Sequence, residues 1–131
     1  MIPKFRAWLK NDREMIDADE IHWDDGHLDF IGDGITFMRE ADEVILMQST
    51  GLFDKNGKEI FERDVVQYQN TKVPSADTKG VVKYFDNWAM FGIDVEYNEP
   101  RALFFNGLAD HISLEVIGNI YESPELLEEE K

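Results

Sequence analysis

The chain reads as a mainly β protein, and three observations carry that reading. Short apolar or alternating runs recur at the spacing of all-β folds. Gly, Asn and Asp turn signals punctuate them. Few segments show the 3.6-residue period of an amphipathic helix. At 131 residues, such a chain buries about two thirds of its unfolded surface, so a core forms without covalent staples.

The first third holds short strands, expected at Lys4–Leu9, Glu14–Ile16, Leu28–Ile31, Ile35–Met38 and Val44–Gln48. Asp24-Asp25-Gly26 and Gly32-Asp33-Gly34 supply turns between them. The segment READEV, residues 39–44, marks a weak boundary, so we divide the chain into a β-rich part at 1–45 and a second part at 46–131.

The hairpin at Gly51–Glu62, GLFDKNGKEIFE, is the strongest local signal. A two-residue Asn56-Gly57 loop sets Lys55 against Lys58 and Asp54 against Glu59, like-charge pairs that oppose pairing. A type I turn from Asp54, with Gly57 left-handed in a G1 bulge, sets Asp54 against Lys58 and Leu52 against Ile60. The bulged register is therefore expected, and it requires a positive φ at Gly57.

Further strands are expected at Val65–Gln69, Val81–Phe85, Trp88–Val95, Ala102–Phe105 and Glu115–Tyr121, with turns at Asp86-Asn87 and Asn106-Gly107. The stretch NTKVPSADTK, Asn70–Lys79, has no apolar period and reads as an exposed loop. Beyond Tyr121, Ser123 caps a short C-terminal helix that begins at Pro124 and carries Leu126 and Leu127; Glu128–Lys131 fray.

Net charge is −15, from 28 acidic and 13 basic residues. Twelve acids and five bases lie in residues 1–45, and five acids with one lysine close the chain. Binding to a phosphate backbone requires clustered Lys and Arg, so direct nucleic-acid binding is disfavoured. Solvation by net charge is the simplest account of the acidity. With no cysteine there is no disulfide, thiolate metal site or cysteine nucleophile. No run approaches the roughly 18 apolar residues of a membrane span, and the start lacks a signal-peptide run. A cytoplasmic protein without membrane partners is the expectation.

The run LMQSTGLFDKNGKEIFERDVV, Leu46–Val66, resembles the signature of the YopX family of phage and prophage proteins. EVIGNIYESPELL, Glu115–Leu127, is similar to that family's closing motif, and KFRAW, Lys4–Trp8, to its opening. The resemblance implies an SH3-like β-barrel over the motif-bearing part, preceded by a variable N-terminal part, and supplies no biochemical activity. One departure stands out: the family's E-G-D turn carries Arg63 here, between Glu62 and Asp64. Either that turn tolerates a side chain or its backbone is strained. Other shared residues have structural readings. Gly51, Gly57 and Gly118 serve backbone geometry, Ile60, Val65, Val66, Val116 and Ile117 serve the core, and Asp64 caps a turn.

Candidate chemistry is sparse. His22, Asp24, Asp25, His27 and Asp29 gather potential metal ligands within eight residues. Their spacing matches neither the helical His-x-x-x-His zinc pattern nor the calcium loop, and a solvated hairpin is the preferred reading. Glu62 and Asp64 alternate on one strand face, a carboxylate pair more simply read as turn-capping and solvated. Ser49, Ser75, Ser113 and Ser123 lack a nucleophile elbow. His111 beside Ile112 reads as a packed or surface histidine, and Gly32-Asp33-Gly34 lacks the lysine of a phosphate loop. Trp8, Trp23, Trp88, Phe91, Phe104 and Phe105 read mainly as core, with one of Phe104 and Phe105 facing outward as a protein contact.

No residue is therefore assigned as catalytic, cofactor-binding or metal-ligating, and no cofactor is expected. The reading is of a non-enzymatic phage or prophage accessory protein that binds another protein or itself, with the short edge strands of the first third as the contact. An acidic nucleic-acid mimic that inhibits a host protein is the alternative, and a carboxylate- or metal-dependent hydrolase the second.

Overall fold

The computed structural model describes residues 4–94, 100–103 and 110–127. Its backbone is almost entirely strand and turn, as the alternating runs require. Two compact units, residues 1–49 and 50–131, divide the chain.

In the first unit, β1 (Phe5–Leu9) pairs antiparallel with β2 (Glu14–Asp17) on one side and with the start of β6 (Val44–Phe53) on the other. A central position buries both faces of β1: Ala7 and Leu9 point into one core, while Arg6 and Trp8 on the other face are also buried. A separate meander joins β3 (Ile21–Asp24), β4 (His27–Gly32) and β5 (Met38–Glu40). Asp25 and Gly26, with φ of 50° and 82°, form the two-residue turn between β3 and β4, where Asp24 faces His27. Ala7, Leu9, Ala18, Ile31 and Val44 make the core, joined by Ile16, Leu28, Phe37 and Leu46.

The strand expected at Ile35–Met38 does not form, and β5 starts at Met38. Asp33 is the cause. Its carboxylate accepts the amides of Ile35, Thr36 and Phe37 at 2.8, 2.7 and 3.0 Å, so those donors are unavailable to a ladder. Ile35 is left 91% exposed.

In the second unit, five antiparallel strands lie in the order β11 (Pro100–Leu103), β10 (Met90–Asp94), β9 (Thr78–Phe85), β8 (Asp64–Asn70) and β12 (Ile112–Asn119). The end of β6 pairs with β7 (Glu59–Phe61) as the central hairpin. Ile60, Val66, Tyr68, Val82, Ile93 and Leu114 form its core, with Leu52, Phe91, Ile112 and Val116 packed around them. Between β8 and β9 the expected loop is shorter than 70–79 and holds a 3-10 turn at Pro74–Ala76. Among the described residues no helix is long and apolar enough to cross a membrane.

The hairpin takes the bulged register. Gly57 has φ of 84°, its amide donates to the Asp54 carbonyl at 2.9 Å, and the Asp54 amide donates to the Lys58 carbonyl at 2.8 Å. The Asp54 side chain is buried and holds both ends of the turn: Oδ1 accepts the Asn56 and Lys58 amides, each at 2.9 Å. Its other oxygen, Oδ2, accepts the Val116 amide of β12 at 2.9 Å. Next to it the Lys55 amide donates to the Leu114 carbonyl at 3.0 Å, and Lys55 Nζ lies 3.5 Å from Glu115.

This contact accounts for the main departure from expectation. The sheet does not close into an SH3-like barrel: β12 and β11 are its two ends and are not bonded to each other. The outer edge of β12 is taken by the Asp54 turn, which satisfies Leu114 and Val116 where barrel closure would need another strand. A half-open sheet results.

Among the described residues the expected C-terminal helix does not form either; Pro124–Leu127 make a four-residue 3-10 turn. The Leu126 amide bonds to the Ser123 carbonyl at 3.1 Å, an i→i+3 link. Acidic residues follow at Glu128–Glu130, the end where a helix dipole disfavours negative charge. The turn is docked instead. Lys79 Nζ donates to the Leu126 carbonyl at 2.9 Å, and a Cβ on Gly118 would lie 2.7 Å from Leu126 Cδ1 and 2.8 Å from Ser123 Oγ. Gly118 is thus required for close approach, without a positive φ.

Arg63 resolves its alternative in favour of strain, at φ of 72°. Its amide donates to the Val82 carbonyl at 2.8 Å and its carbonyl accepts the Ile120 amide at 3.1 Å, so the backbone is held in place from both sides. Asp64 caps this turn by accepting the Phe61 amide at 2.8 Å. The turn expected at Asn106-Gly107, and Phe104, Phe105 and Glu128–Lys131, lie outside the described residues.

Two outcomes follow for stability. Asp54→Asn places an amide group against the Val116 N–H and is expected to cost about 2 kcal/mol in urea unfolding at pH 7. Burial raises the Asp54 pKa, but the Val116, Lys58 and Asn56 amides and the Lys58 charge outweigh it and leave the group lowered from 3.8. Its stabilisation is therefore present well above the unfolded value of 3.8 and is lost as pH falls through that value and then the depressed folded one; Asp54→Asn should flatten that acid limb. Arg63→Gly relieves a left-handed side chain and is expected to stabilise by about 1 kcal/mol in the same assay; an unchanged or lower midpoint contradicts the strain.

Candidate functional site

The candidate metal ligands of the first unit do not converge. His22 stacks on Phe30, ring centroids 4.1 Å apart at 17°, and Asp24 and His27 flank the Asp25-Gly26 turn. Among the described residues, the acidic group with mutually close ligand atoms is Glu40, Asp42 and Glu43. That trio surrounds the 3-10 turn Ala41–Glu43, and the Glu43 carboxylate accepts the Glu40 amide at 2.9 Å. Its proximity is explained by capping.

A cavity of about 200 Å³ in the first unit is edged by Asp17, Asp19, Glu20 and Asp33, over an apolar floor that includes Ile16, Ile31 and Phe37. Asp33 is already committed. The Thr36 hydroxyl, followed by the Phe37 and Ile35 amides, holds its pKa far below 3.8. It is a loop organiser with no lone pair in need of a ligand.

Other candidates disperse. Glu62 lies in a turn and Asp64 opens β8 in a buried position, so the two do not alternate along one strand. Ser49 is buried. The His111 carbonyl accepts the Thr71 amide at 2.9 Å just before β12. Trp8 is core as expected, whereas Trp23 and Trp88 are each 55% exposed. Trp23 rests edge-on against Phe5, with centroids 6.3 Å apart.

The most organised exposed group is the end of the β9–β10 hairpin. Register places Tyr84 opposite Phe91 on the face that carries Val82 and Ile93, so the core continues outward as an aromatic pair. Their rings meet edge to face at 5.1 Å and 78°. Phe85 on the other face is buried and anchors the end. The Trp88 amide donates to the Phe85 carbonyl at 3.0 Å, and the Ala89 amide to Asp86 at 3.2 Å, with Ala89 at φ of 53°. Tyr84, Phe85, Asp86, Asn87 and Trp88 line a hollow of about 220 Å³.

The strand expected from Trp88 and the core position expected for its ring are not what forms. The strand begins at Met90, and Trp88 sits within the turn that Asp86-Asn87 starts. Those two turn residues, immediately before a tryptophan, were the available signal.

Fold and site together define a small two-unit β protein with an open sheet and an aromatic hairpin end. The match to the YopX protein family model spans residues 4–128, and the chain belongs to that family of phage and prophage proteins. The crystal structure of protein EF1440 from Enterococcus faecalis is similar over 98% of this chain and 99% of that one, at 30% identity and a TM-score of 0.63. Protein yopX from Bacillus subtilis shares the fold, with 20% identity, 98% of both chains covered and a TM-score of 0.64. No curated protein matches.

The Asp33 assignment has a direct check. Carbon-detected NMR should find its carboxylate still ionised below pH 3, and Thr36→Val should move its titration upward toward 3.8. Titration of the unsubstituted protein at the ordinary value contradicts the loop geometry.

Proposed function

We propose that this protein is a non-enzymatic accessory protein that acts by binding another protein, and that the Tyr84–Trp88 hairpin end is the contact. The observation that carries the reading is the pairing of exposure with order. Tyr84 and Trp88 are 45% and 55% exposed, yet the turn beneath them is hydrogen-bonded and anchored by buried Phe85. Tyr and Trp dominate binding energy at protein interfaces, because they bring large area at low conformational cost. The exposed apolar residues of the first unit, Trp23 on β3, Met38 on β5 and Ile35 in the bend between β4 and β5, are distributed over separate segments and make a weaker candidate for the contact.

The test is capture from the bacterial host with the whole chain and with a Tyr84→Ser, Trp88→Ser double variant. A captured protein, once purified, should bind the unsubstituted chain and lose about tenfold or more in affinity with the variant by calorimetry. Equal binding to both removes the hairpin from the contact. Salt-sensitive capture of a nucleic-acid-binding protein, indifferent to the variant, favours acidic mimicry instead. Light scattering that finds a strict monomer removes self-association.

A further inference from the structure

We infer that the hollow at Tyr84–Trp88 receives a cationic side chain, an arginine guanidinium of the partner protein. The inference rests on the hairpin end being the contact surface, and it adds the chemistry of what sits there. Size comes first. About 220 Å³ falls below the roughly 300–1,000 Å³ of sites that enclose nucleotides or cofactors, so a side-chain-sized group is the fitting occupant.

Charge comes next. The residues that line it are Tyr84, Phe85, Asp86, Asn87 and Trp88, three aromatic and one acidic, with no basic residue among them. Aromatic faces carry negative potential and attract cations, and a carboxylate beside them adds an ionic partner. Lys83, the nearest base along the strand, is paired with Asp94 and is not among the residues that line the hollow. A net charge of −15 repels phosphate and carboxylate ligands at long range and draws basic surfaces in. Arginine fits better than lysine, since its planar, weakly hydrated head stacks on a ring while its N–H fork meets a carboxylate.

Order completes the argument. The edge-to-face contact with Phe91 holds the Tyr84 ring, and the Phe85–Trp88 hydrogen bond holds the turn, so a guanidinium meets groups already in place.

The probe is N-acetyl-arginine N-methylamide, titrated into the isotope-labelled whole chain at low salt and followed by amide NMR, with the uncharged citrulline analogue as control. Saturable shifts should centre on residues 86–89 and the Trp88 indole N–H, with arginine about fivefold tighter than citrulline. Trp88→Leu, which keeps apolar bulk but loses the ring, and Asp86→Asn should each weaken binding by about threefold or more. Both positions are exposed, and unchanged spectra elsewhere verify the fold. Equal shifts with citrulline, or shifts spread over the acidic surface and unmoved by Trp88→Leu, overturn the inference. If the purified partner binds Trp88→Leu as well as the unsubstituted chain but loses the Tyr84→Ser, Trp88→Ser variant, the contact stands and its cation chemistry falls. If the arginine probe behaves as expected while the partner ignores both variants, the hollow is a cation site and the protein-contact reading falls.

Discussion

The Asp54 carboxylate is the group on which the second unit depends. It is buried, and each of its oxygens does a different job: Oδ1 holds the 54–58 turn, and Oδ2 reaches the Val116 amide of β12. A buried carboxylate is costly to desolvate, and three amide donors with a nearby lysine offset that cost. The two motifs that carry the family resemblance, GLFDKNGKEIFE and EVIGNIYESPELL, are thereby joined through a single side chain. Lys55 reinforces the junction from the backbone at Leu114 and from its ammonium at Glu115.

That junction also determines what the sheet is not. A strand edge left bare invites pairing, and β-proteins cover, charge or close such edges. Here the edge of β12 is covered by a turn, so closure onto β11 is unnecessary and the sheet stays half-open. The chain's end follows the same logic on a smaller scale. Asn119 Oδ1 accepts the Tyr121 and Glu122 amides at 3.0 and 2.8 Å and turns the chain, after which Ser123 and Leu126 seat against Gly118. Packing onto the glycine takes the place of helical propagation, which the following acids oppose.

Acidic side chains in this protein divide into organisers and surface charges. Asp33, Asp54 and Asp64 each take backbone amides and shape a turn, whereas Asp86 stands exposed beside two aromatic residues. Counting carboxylates conceals that division, because a motif of the same residue type serves opposite ends. The hairpin end combines a Tyr84 ring held against Phe91, an exposed acid at Asp86 and, on the same strand, a base at Lys83 that is paired with Asp94.

Much of the fold was legible in the residues. The β class, the positive φ at Gly57 and the capping role of Asp64 follow from turn chemistry that acts over about four residues. At Arg63 the family resemblance raised the question and left two alternatives open, and only the φ of 72° decided for strain. The site was less legible: Asp86-Asn87 marks a turn next to Trp88, whereas Trp8 lies in a strand, but how far each ring is exposed depends on which strands lie beside it. The partner of Asp54 Oδ2 lies 62 positions away, and the open edge, the absent helix and the exposed hairpin end all depend on contacts of that range. Turn residues write their own geometry into the sequence. The pairing of distant edges is settled only when the whole chain competes for the same hydrogen bonds, and that competition is what the tertiary structure decides.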